Sequence, residues 1–403
     1  MSIEIRKCAD IADLRASMSS IWHYFGLPPT DEAVANFSEL VGPDRAFVAE
    51  AEGALAGGCC SFPMEVTTPG GRVKAAGVTM VGVQPTHRRR GVLTAMMRRQ
   101  LDDCRERGEP LAYLWASEER IYGRFGYGLT ALSADVEISR DRATFFTEAP
   151  TFGRVRLLAP QQALEAVRKI YADVCASRPG MFRRSDEWFR RRTLADAAWM
   201  RAGGGELVCA LLEIDGAPAA YALYRFDAKW DRNLPAGVVR VGEAMATTPD
   251  AMRAIWRYLL DMDWCQTIKA GFLPPDHPLF LLSAEPRRMR TALRDGCFAR
   301  LVDVEAALSS RAYGAGEIVL EVADAFCPWN AGRWLVSDGK VARTERAADI
   351  SCDVSTLASA YLGGFGWAQL VASSRATATG EDAIARADRV FERRGAPWVP
   401  EIF

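Results

Sequence analysis

Residues 81–93 of the chain read VGVQPTHRRRGVL, and the rest of the fold can be inferred outward from this stretch. An apolar run rich in β-type residues, 77–83, leads into it and predicts a strand. Apolar residues then recur at positions 93, 96, 97, 101 and 104, which is helical spacing. Three arginines and Gly91 therefore lie where a strand turns into a helix. Because the first amides of a helix have no partner inside it, this turn is a candidate phosphate site, with a solvated basic helix start as the alternative.

The overall composition limits the classes of partner. The chain has 403 residues, 49% of them apolar and 25% charged, which is typical of a globular protein of two or three domains. The net charge is −1 and the isoelectric point is near 6.4, so nothing favours a nucleic-acid partner. Arginine clusters at 88–90, 183–184 and 190–192 are too local to change this expectation.

The cysteines and histidines predict neither a metal site nor a disulfide framework. The ten cysteines are scattered without a C-x-x-C pair, and there are three histidines, so we expect no metal. Scattered cysteines are typical of a reducing cytoplasm. We also expect no signal peptide at the N-terminus and no membrane span, because no apolar run reaches the required length.

The order of predicted elements divides the chain into three parts. Residues 1–150 read as an α/β unit with a central strand at 73–83, the basic turn, a helix from 92 to about 107 and a strand at 111–115. Residues 151–290 repeat the order strand, Pro-containing loop, helix, strand, after a hairpin around Asp215-Gly216. Their loop carries Asp250 where the first copy has arginines, so a pyrophosphate would be repelled and we expect this copy to be structural. Residues 291–403 form the third part.

The basic turn resembles the pyrophosphate loop of the GCN5-related N-acetyltransferases, whose pattern is Arg/Gln-x-x-Gly-x-Gly/Ala. Here it reads Arg88-x-x-Gly91-x-Leu93, and leucine at the last position is similar to the enhanced intracellular survival (Eis) subfamily. The segment 116–128 and an aromatic C-terminus extend the resemblance over essentially the whole chain. The implied fold is α/β (α+β), with tandem GCN5-related acetyltransferase domains at 1–150 and 151–290. A sterol-carrier-protein-like domain follows at 291–403, with its C-terminal tail reaching the active site.

The resemblance implies acetyl transfer from acetyl-coenzyme A to a primary amine of a small molecule, such as an aminoglycoside or a polyamine, by direct attack. It also implies a homo-hexamer built from trimers. Transfer to protein lysines is one alternative function. A coenzyme- or lipid-binding carrier with a vestigial transferase half is another.

Chemistry and resemblance together suggest the two proton-transfer groups. The leaving thiolate needs a proton, because a free thiol has a pKa of about 8.5, and a tyrosine near the thioester can supply it. Tyr122 matches the family's general acid, with Tyr127 as the alternative. The family's general base is the C-terminal carboxylate, here that of Phe403, acting through water. The alternatives for the base are Glu118, Glu119 and Glu401.

The resemblance assigns the remaining site residues to two groups. The coenzyme-binding residues are Val81, Gly82, Val83, Arg88, Arg89, Arg90, Gly91, Val92, Leu93 and Ser117, with Ser117 also in the substrate channel. The expected channel walls are Trp22, Tyr24, Phe25, Phe37, Met80 and Trp115, with Glu401 as a carboxylate. The segment that begins at Trp22 contains no carboxylate before Asp31. Because a polycationic aminoglycoside would need carboxylates, this segment favours a more apolar amine as the acceptor.

Overall fold

The computed structural model describes residues 2–26, 28–148, 153–201, 203–392 and 395–403. These residues form two compact units. The first unit comprises Met1–Ala131, Gly296–Arg394 and Ile402–Phe403, and the second comprises Leu132–Asp295 and Gly395–Glu401.

The first unit opens with a seven-stranded sheet in the order β1-β2-β3-β4-β5-β16-β6. Helices α1 to α4 come from the same part of the chain as its first six strands. The elements are β1 (Ile3–Lys7), α1 (Ile11–Trp22), α2 (Asp31–Ser38), β2 (Ala46–Ala51), β3 (Ala54–Thr68), β4 (Gly71–Val83), α3 (Val92–Glu106), β5 (Leu111–Trp115), α4 (Glu119–Tyr122), β6 (Gly128–Leu129) and, from later in the chain, β16 (Cys297–Leu301).

Helix α1 packs directly on the centre of this sheet. Asp10 caps it, since its side chain accepts a hydrogen bond from the amide of Asp13. A Cβ at Gly58 would lie 2.4 Å from the Ser17 carbonyl oxygen, and one at Gly82 would lie 2.6 Å from the Ile21 amide nitrogen. Glycine at both positions therefore lets the helix backbone touch β3 and β4.

The rest of the first unit is a five-stranded sheet in the order β19-β18-β17-β20-β21, in which β17 and β20 are parallel. Helices from the same part of the chain pack with it. Its elements are α9 (Val304–Ser309), β17 (Glu317–Ala323), β18 (Gly332–Ser337), β19 (Lys340–Arg343), β20 (Ile350–Asp353), α10 (Val354–Tyr361), α11 (Trp367–Ala372), β21 (Ala376–Ala378) and α12 (Glu381–Val390).

The second unit contains a seven-stranded sheet in the order β15-β7-β14-β13-β10-β9-β8 and a separate two-stranded sheet. Strands β13 and β14 are parallel and joined through a helix, as β4 and β5 are. The elements are β7 (Leu132–Ser139), β8 (Arg154–Leu158), α5 (Leu164–Ser177), α6 (Asp186–Trp188), β9 (Leu207–Ile214), β10 (Ala217–Asp227), β11 (Trp230–Asp231), β12 (Leu234–Pro235), β13 (Gly237–Ala246), α7 (Pro249–Leu260), β14 (Cys265–Leu273), α8 (Leu279–Leu282) and β15 (Arg290–Asp295).

The predicted α/β class is confirmed, but the observed unit boundaries differ from the predicted ones. Strand β7 falls within residues 1–150, which were predicted to form the first domain, but it pairs with β14 and β15 in the second unit. Strand β16 lies in the first sheet, between β5 and β6. The units therefore change at Ala131/Leu132 and Asp295/Gly296. The predicted boundary at 150 falls on residues 149–152, which lie outside the described part of the chain.

Candidate active site

The cleft of the first unit lies where β4 and β5 diverge. The two strands are paired in parallel only from Ala75, opposite Leu111, to Gly77, opposite Tyr113. Beyond that point β4 continues to Val83 and β5 to Trp115 without pairing with each other, while β16 pairs with the other edge of β5 along its whole length. No other described strand pairs with this edge of β4, so its backbone groups can bind an extended ligand.

A β-bulge turns β4 at the cleft. Met80 and Val81 stand opposite the single residue Cys59 in the pairing with β3. Met80 has a φ of 53°, a left-handed value that is uncommon for a residue with a side chain. Bulges increase the local twist of a strand and often lie next to active sites. This bulge therefore explains why β4 leaves β5 at this place.

The basic turn places free positive charge at the start of α3. Gly91 caps the helix with a φ of 88°, and Arg89 before it has a φ of 61°. Arg88 and Arg89 are exposed and form no ion pair with any residue that the structure describes. Arg90 is also exposed, whereas Val92 is buried. The helix dipole adds to the arginine charges, so the turn suits an anion such as a pyrophosphate.

Tyr122 ends α4 and lies in the same apolar cluster as Val81 and Leu93. Its side chain is 7% exposed. Burial, together with the nearby thiol of Cys59, raises the pKa of the Tyr122 phenol to about 12. The phenol therefore keeps its proton at neutral pH and can act as a proton donor.

Tyr127 is less suited to that role. It is 2% exposed, and its ring packs edge-on against Tyr122 with 5.8 Å between the ring centroids. Its hydroxyl has no hydrogen-bond partner among the described residues. Burial raises the pKa of Tyr127 well above its ordinary value. Of the two tyrosines, Tyr122 is the more accessible one.

Phe403 is buried in the first unit, in contact with both strands of the cleft. Its ring stacks on Tyr113 of β5, with 5.9 Å between centroids and an angle of 26° between the ring planes. The Thr79 hydroxyl of β4 donates a hydrogen bond of 3.1 Å to the main-chain oxygen of Phe403. This oxygen thus lies beside β4, one residue before the bulge. Sequence reasoning did not identify Thr79, although it is the one hydroxyl-bearing residue in the apolar run 77–83.

Three of the expected channel aromatics, Trp22, Tyr24 and Phe25, lie at or just after the end of α1. The Tyr24 hydroxyl donates a 2.8 Å hydrogen bond to the Val83 carbonyl, which ties this segment to the end of β4. Trp22 and Phe25 pack edge-on, with 6.5 Å between centroids, and Phe25 is 68% exposed. The segment therefore presents aromatic surface beside the predicted coenzyme strand.

The other expected channel residues divide into two groups. Met80 and Trp115 are half-buried at the bulge and at the end of β5, and Ser117 is exposed in the loop before α4. Phe37, by contrast, is buried and packs edge-on against Phe62, with 5.3 Å between centroids. Its position is that of a core residue, which differs from the expected channel wall.

Glu401 also differs from its expected role. It belongs to the second unit, where its carboxylate lies 2.6 Å from Arg184 Nε and accepts a 2.8 Å hydrogen bond from the Trp188 indole. Arg192 lies 3.9 Å from its other oxygen. Because this carboxylate is held in an ion-pair network with Arg192 and with Arg184, which also pairs with Glu243, it anchors the tail rather than offering a charge to a ligand.

The corresponding cleft of the second unit is filled by the chain itself. Trp398 and Pro400 lie beside the diverging ends of β13 and β14, where a cavity of only about 10 Å³ remains. The Trp398 indole donates a 2.6 Å hydrogen bond to the Phe272 carbonyl, and its main-chain amide donates one of 2.8 Å to Pro179. At the start of α7, Asp250 pairs with Arg253. These contacts are in keeping with the predicted structural role of this copy.

Two further features of the described residues concern metal binding and membrane spanning. Among the described residues, no group of three or more His, Cys, Asp or Glu side chains is arranged to hold a metal ion. Within the same residues, no helix is both long and apolar enough to cross a lipid bilayer.

Protein-family models match three regions of the chain, and the order of the three domain types is the predicted one. Residues 5–130 and residues 180–301 each match an acetyltransferase (GNAT) domain. Residues 304–400 match a sterol carrier protein domain.

Known relatives align along nearly the whole chain. An uncharacterised N-acetyltransferase of Streptomyces coelicolor is 41% identical over 96% of this chain and 96% of its own length. The N-acetyltransferase Eis of Mycobacterium tuberculosis is 34% identical over 89% of this chain and 92% of its own length. The crystal structure of Eis1 from Mycobacterium abscessus superposes with a TM-score of 0.86 at 35% identity, covering all of both chains.

Proposed function

Because the chain belongs to the Eis family of GNAT-type N-acetyltransferases, we propose that it transfers the acetyl group of acetyl-coenzyme A to the primary amine of a small molecule by direct attack. The observation that carries this proposal is the cleft between β4 and β5. It combines an exposed basic turn, a buried phenol and the Phe403 terminus within one unit. In the proposed reaction these groups would bind the pyrophosphate, protonate the leaving sulfur and accept the amine proton.

The coenzyme would lie along β4 and end at the basic turn. Arg88, Arg89 and the free amides after Gly91 suit the pyrophosphate, while Arg90, Val92 and Leu93 complete the turn. The unpaired edge of β4 at 81–83 suits the amide groups of the pantetheine arm. With the pyrophosphate at the turn and the pantetheine arm along 81–83, the thioester would lie near the bulge, where Val81 belongs to the same apolar cluster as Tyr122.

Tyr122 and Phe403 would move the two protons of the reaction. The Phe403 carboxylate accepts a proton from the amine through a water, which frees the nitrogen lone pair to attack the acetyl carbonyl carbon. The carbon–sulfur bond then breaks and the sulfur leaves with its electron pair. Tyr122 donates its proton to that sulfur, and the second proton that the attacking nitrogen must lose to become an amide passes through water to the Tyr122 phenolate. The products are an acetamide and free coenzyme A.

The acceptor that fits this site best is an amine with an aromatic or alkyl body. Trp22, Tyr24 and Phe25 supply an aromatic surface, and the segment 22–26 carries no carboxylate. Glu401 is held in an ion-pair network with arginines. A polycationic aminoglycoside would meet few negative charges here, whereas an arylalkylamine needs only one, and the Phe403 carboxylate supplies it.

A thiol-release assay across amine classes tests this function. With acetyl-coenzyme A held at saturation, we expect kcat/KM to be highest for arylalkylamines, lower for aliphatic polyamines and aminoglycosides, and lowest for lysine peptides. Highest activity on the lysine peptides would favour the protein-lysine alternative. Tight coenzyme binding without turnover on any amine would favour the carrier alternative.

A further inference from the structure

A completely buried ion pair lies beneath the loop that carries Tyr122. Arg300 of β16 and Asp324, which follows β17, are 2.6 Å apart, with side chains 0% and 1% exposed. Both residues belong to the first unit, Asp324 within the sterol-carrier-like part. The acetyltransferase part and the sterol-carrier-like part are therefore joined by charges that no solvent screens.

Neighbouring groups fix the carboxylate of Asp324 on both sides. The Asn330 side-chain amide donates a 2.9 Å hydrogen bond to the oxygen that pairs with Arg300. The main-chain amide of Cys327 donates one of 2.9 Å to the other oxygen. With its carboxylate held in this way, Asp324 sets the position of the Arg300 guanidinium.

The guanidinium in turn contacts the loop that follows Tyr122. A Cβ at Gly126 would lie 2.8 Å from Arg300 Cζ and 2.8 Å from Val354 Cγ1 of α10. Gly126 also has a left-handed φ of 82°. Both the lack of space for a side chain and this backbone conformation therefore favour glycine at this position. Because Arg300 is pinned by Asp324, it cannot move aside as an exposed arginine would.

The loop transmits this contact to Tyr122. The main-chain amide of Tyr127 donates a 3.3 Å hydrogen bond to the Tyr122 carbonyl, and that of Gly126 donates one of 2.9 Å to Gly123. The Phe125 ring packs edge-on against Phe326 of the sterol-carrier-like part, 5.1 Å between centroids. Tyr122 is thus held from behind by a short, closed loop.

Helix α10 holds the next residues of the chain just as closely. A Cβ at Gly128 would lie 1.8 Å from the Ser355 carbonyl oxygen. The Thr130 hydroxyl donates a 3.0 Å hydrogen bond to the Ala358 carbonyl. The segment from Gly126 to Thr130 therefore lies against backbone of the sterol-carrier-like part, which leaves it little room to shift.

We propose that Arg300 and Asp324 are positioning residues for the proton donor, and that the sterol-carrier-like part serves this enzyme as a brace for the Tyr122 loop. The proposal rests on the assignment of Tyr122 as general acid in the function proposed above. Neither residue touches a substrate; they act by holding the phenol where the leaving sulfur forms. A small displacement of a catalytic group is enough to slow a reaction strongly.

The first test compares two buried ion pairs of the same unit. Asp324→Asn breaks the brace, whereas Glu109→Gln breaks the Arg45–Glu109 pair, whose atoms are 2.7 and 2.9 Å apart. Both changes leave a buried arginine unpaired and should lower the free energy of unfolding. At matched folded fraction we expect Asp324→Asn to lower kcat roughly tenfold with KM for acetyl-coenzyme A within about twofold. Glu109→Gln should leave kcat unchanged.

A second pair of variants tests the brace without changing any charge. Gly126→Ala pushes a methyl group into Arg300 and Val354. Gly108→Ala introduces the same left-handed strain, at a φ of 64°, but has no atom within 4 Å of the new methyl group. We expect kcat to fall for Gly126→Ala and not for Gly108→Ala. This comparison decides the proposal if Asp324→Asn does not fold.

A double-mutant cycle with Tyr122→Phe separates this proposal from the function on which it rests. If Asp324 acts through Tyr122, Asp324→Asn should lower kcat in the native background and have no further effect in Tyr122→Phe. The same loss in both backgrounds, or unchanged kcat in Asp324→Asn and Gly126→Ala, would overturn the brace alone. Full activity of Tyr122→Phe would overturn the acid assignment instead.

Discussion

At the scale of single residues, burial decides which tyrosine can give up a proton. Tyr122 is 7% exposed and its phenol has a pKa of about 12. Tyr127 is only 2% exposed, and its hydroxyl has no hydrogen-bond partner among the described residues. A donor must be protonated to act, and about 1% of a phenol with this pKa is ionised at pH 10. Turnover should therefore not decline between pH 8 and pH 10 through loss of the Tyr122 proton.

Replacing the donor gives the prediction that belongs to this scale. Tyr122→Phe should keep affinity for acetyl-coenzyme A and lower kcat by roughly 10²-fold, since the general acid is lost while the ring remains. Steady-state kinetics and calorimetric binding measure the two effects separately. Tyr127→Phe is the comparison, and an inactive Tyr127→Phe beside a fully active Tyr122→Phe would mean that the acid is Tyr127.

At the scale of elements, local sequence signals predicted individual helices and strands. They did not predict that β7 pairs in the second unit or that β16 pairs in the first sheet. Helix α3 was predicted from its apolar periodicity, strand β5 from its apolar run, and the hairpin of β9 and β10 from the turn at Asp215-Gly216. The bulge at Met80 was not, because no glycine marks the position with positive φ. The placement of β7 and β16 depends on pairing partners far away in the chain, which periodicity does not report.

The basic turn gives the prediction for this scale. Arg88→Ala and Arg89→Ala should each raise KM for acetyl-coenzyme A roughly tenfold, because a charge-assisted contact with phosphate is lost. Lys74→Ala is a suitable control, since Lys74 is an exposed cation on the same β4 strand but lies far from the turn in sequence. Unchanged coenzyme affinity in both arginine variants, measured by calorimetry, would place the pyrophosphate elsewhere.

At the scale of the whole molecule, the tail residues show where sequence reasoning succeeds and where it stops. The apolar residues Trp398, Val399, Ile402 and Phe403 favour a packed tail over a disordered one, and three of them are buried, whereas Ile402 is 52% exposed. The role of Glu401 was not predictable, because its partners Arg184 and Trp188 are distant in sequence. Hexameric assembly stays a prediction from the family resemblance, and a cytoplasmic location stays a prediction from the scattered cysteines.

The most direct test of the proposed mechanism is thiol release by a chain extended with a C-terminal tag after Phe403. The tag replaces the carboxylate beside Thr79 by a neutral amide, so turnover should be abolished while the protein stays folded and binds acetyl-coenzyme A. Phe403→Ala, which keeps the carboxylate, should do less damage. Normal turnover of the extended chain would contradict the mechanism and redirect the search for the base to Glu118 or Glu119.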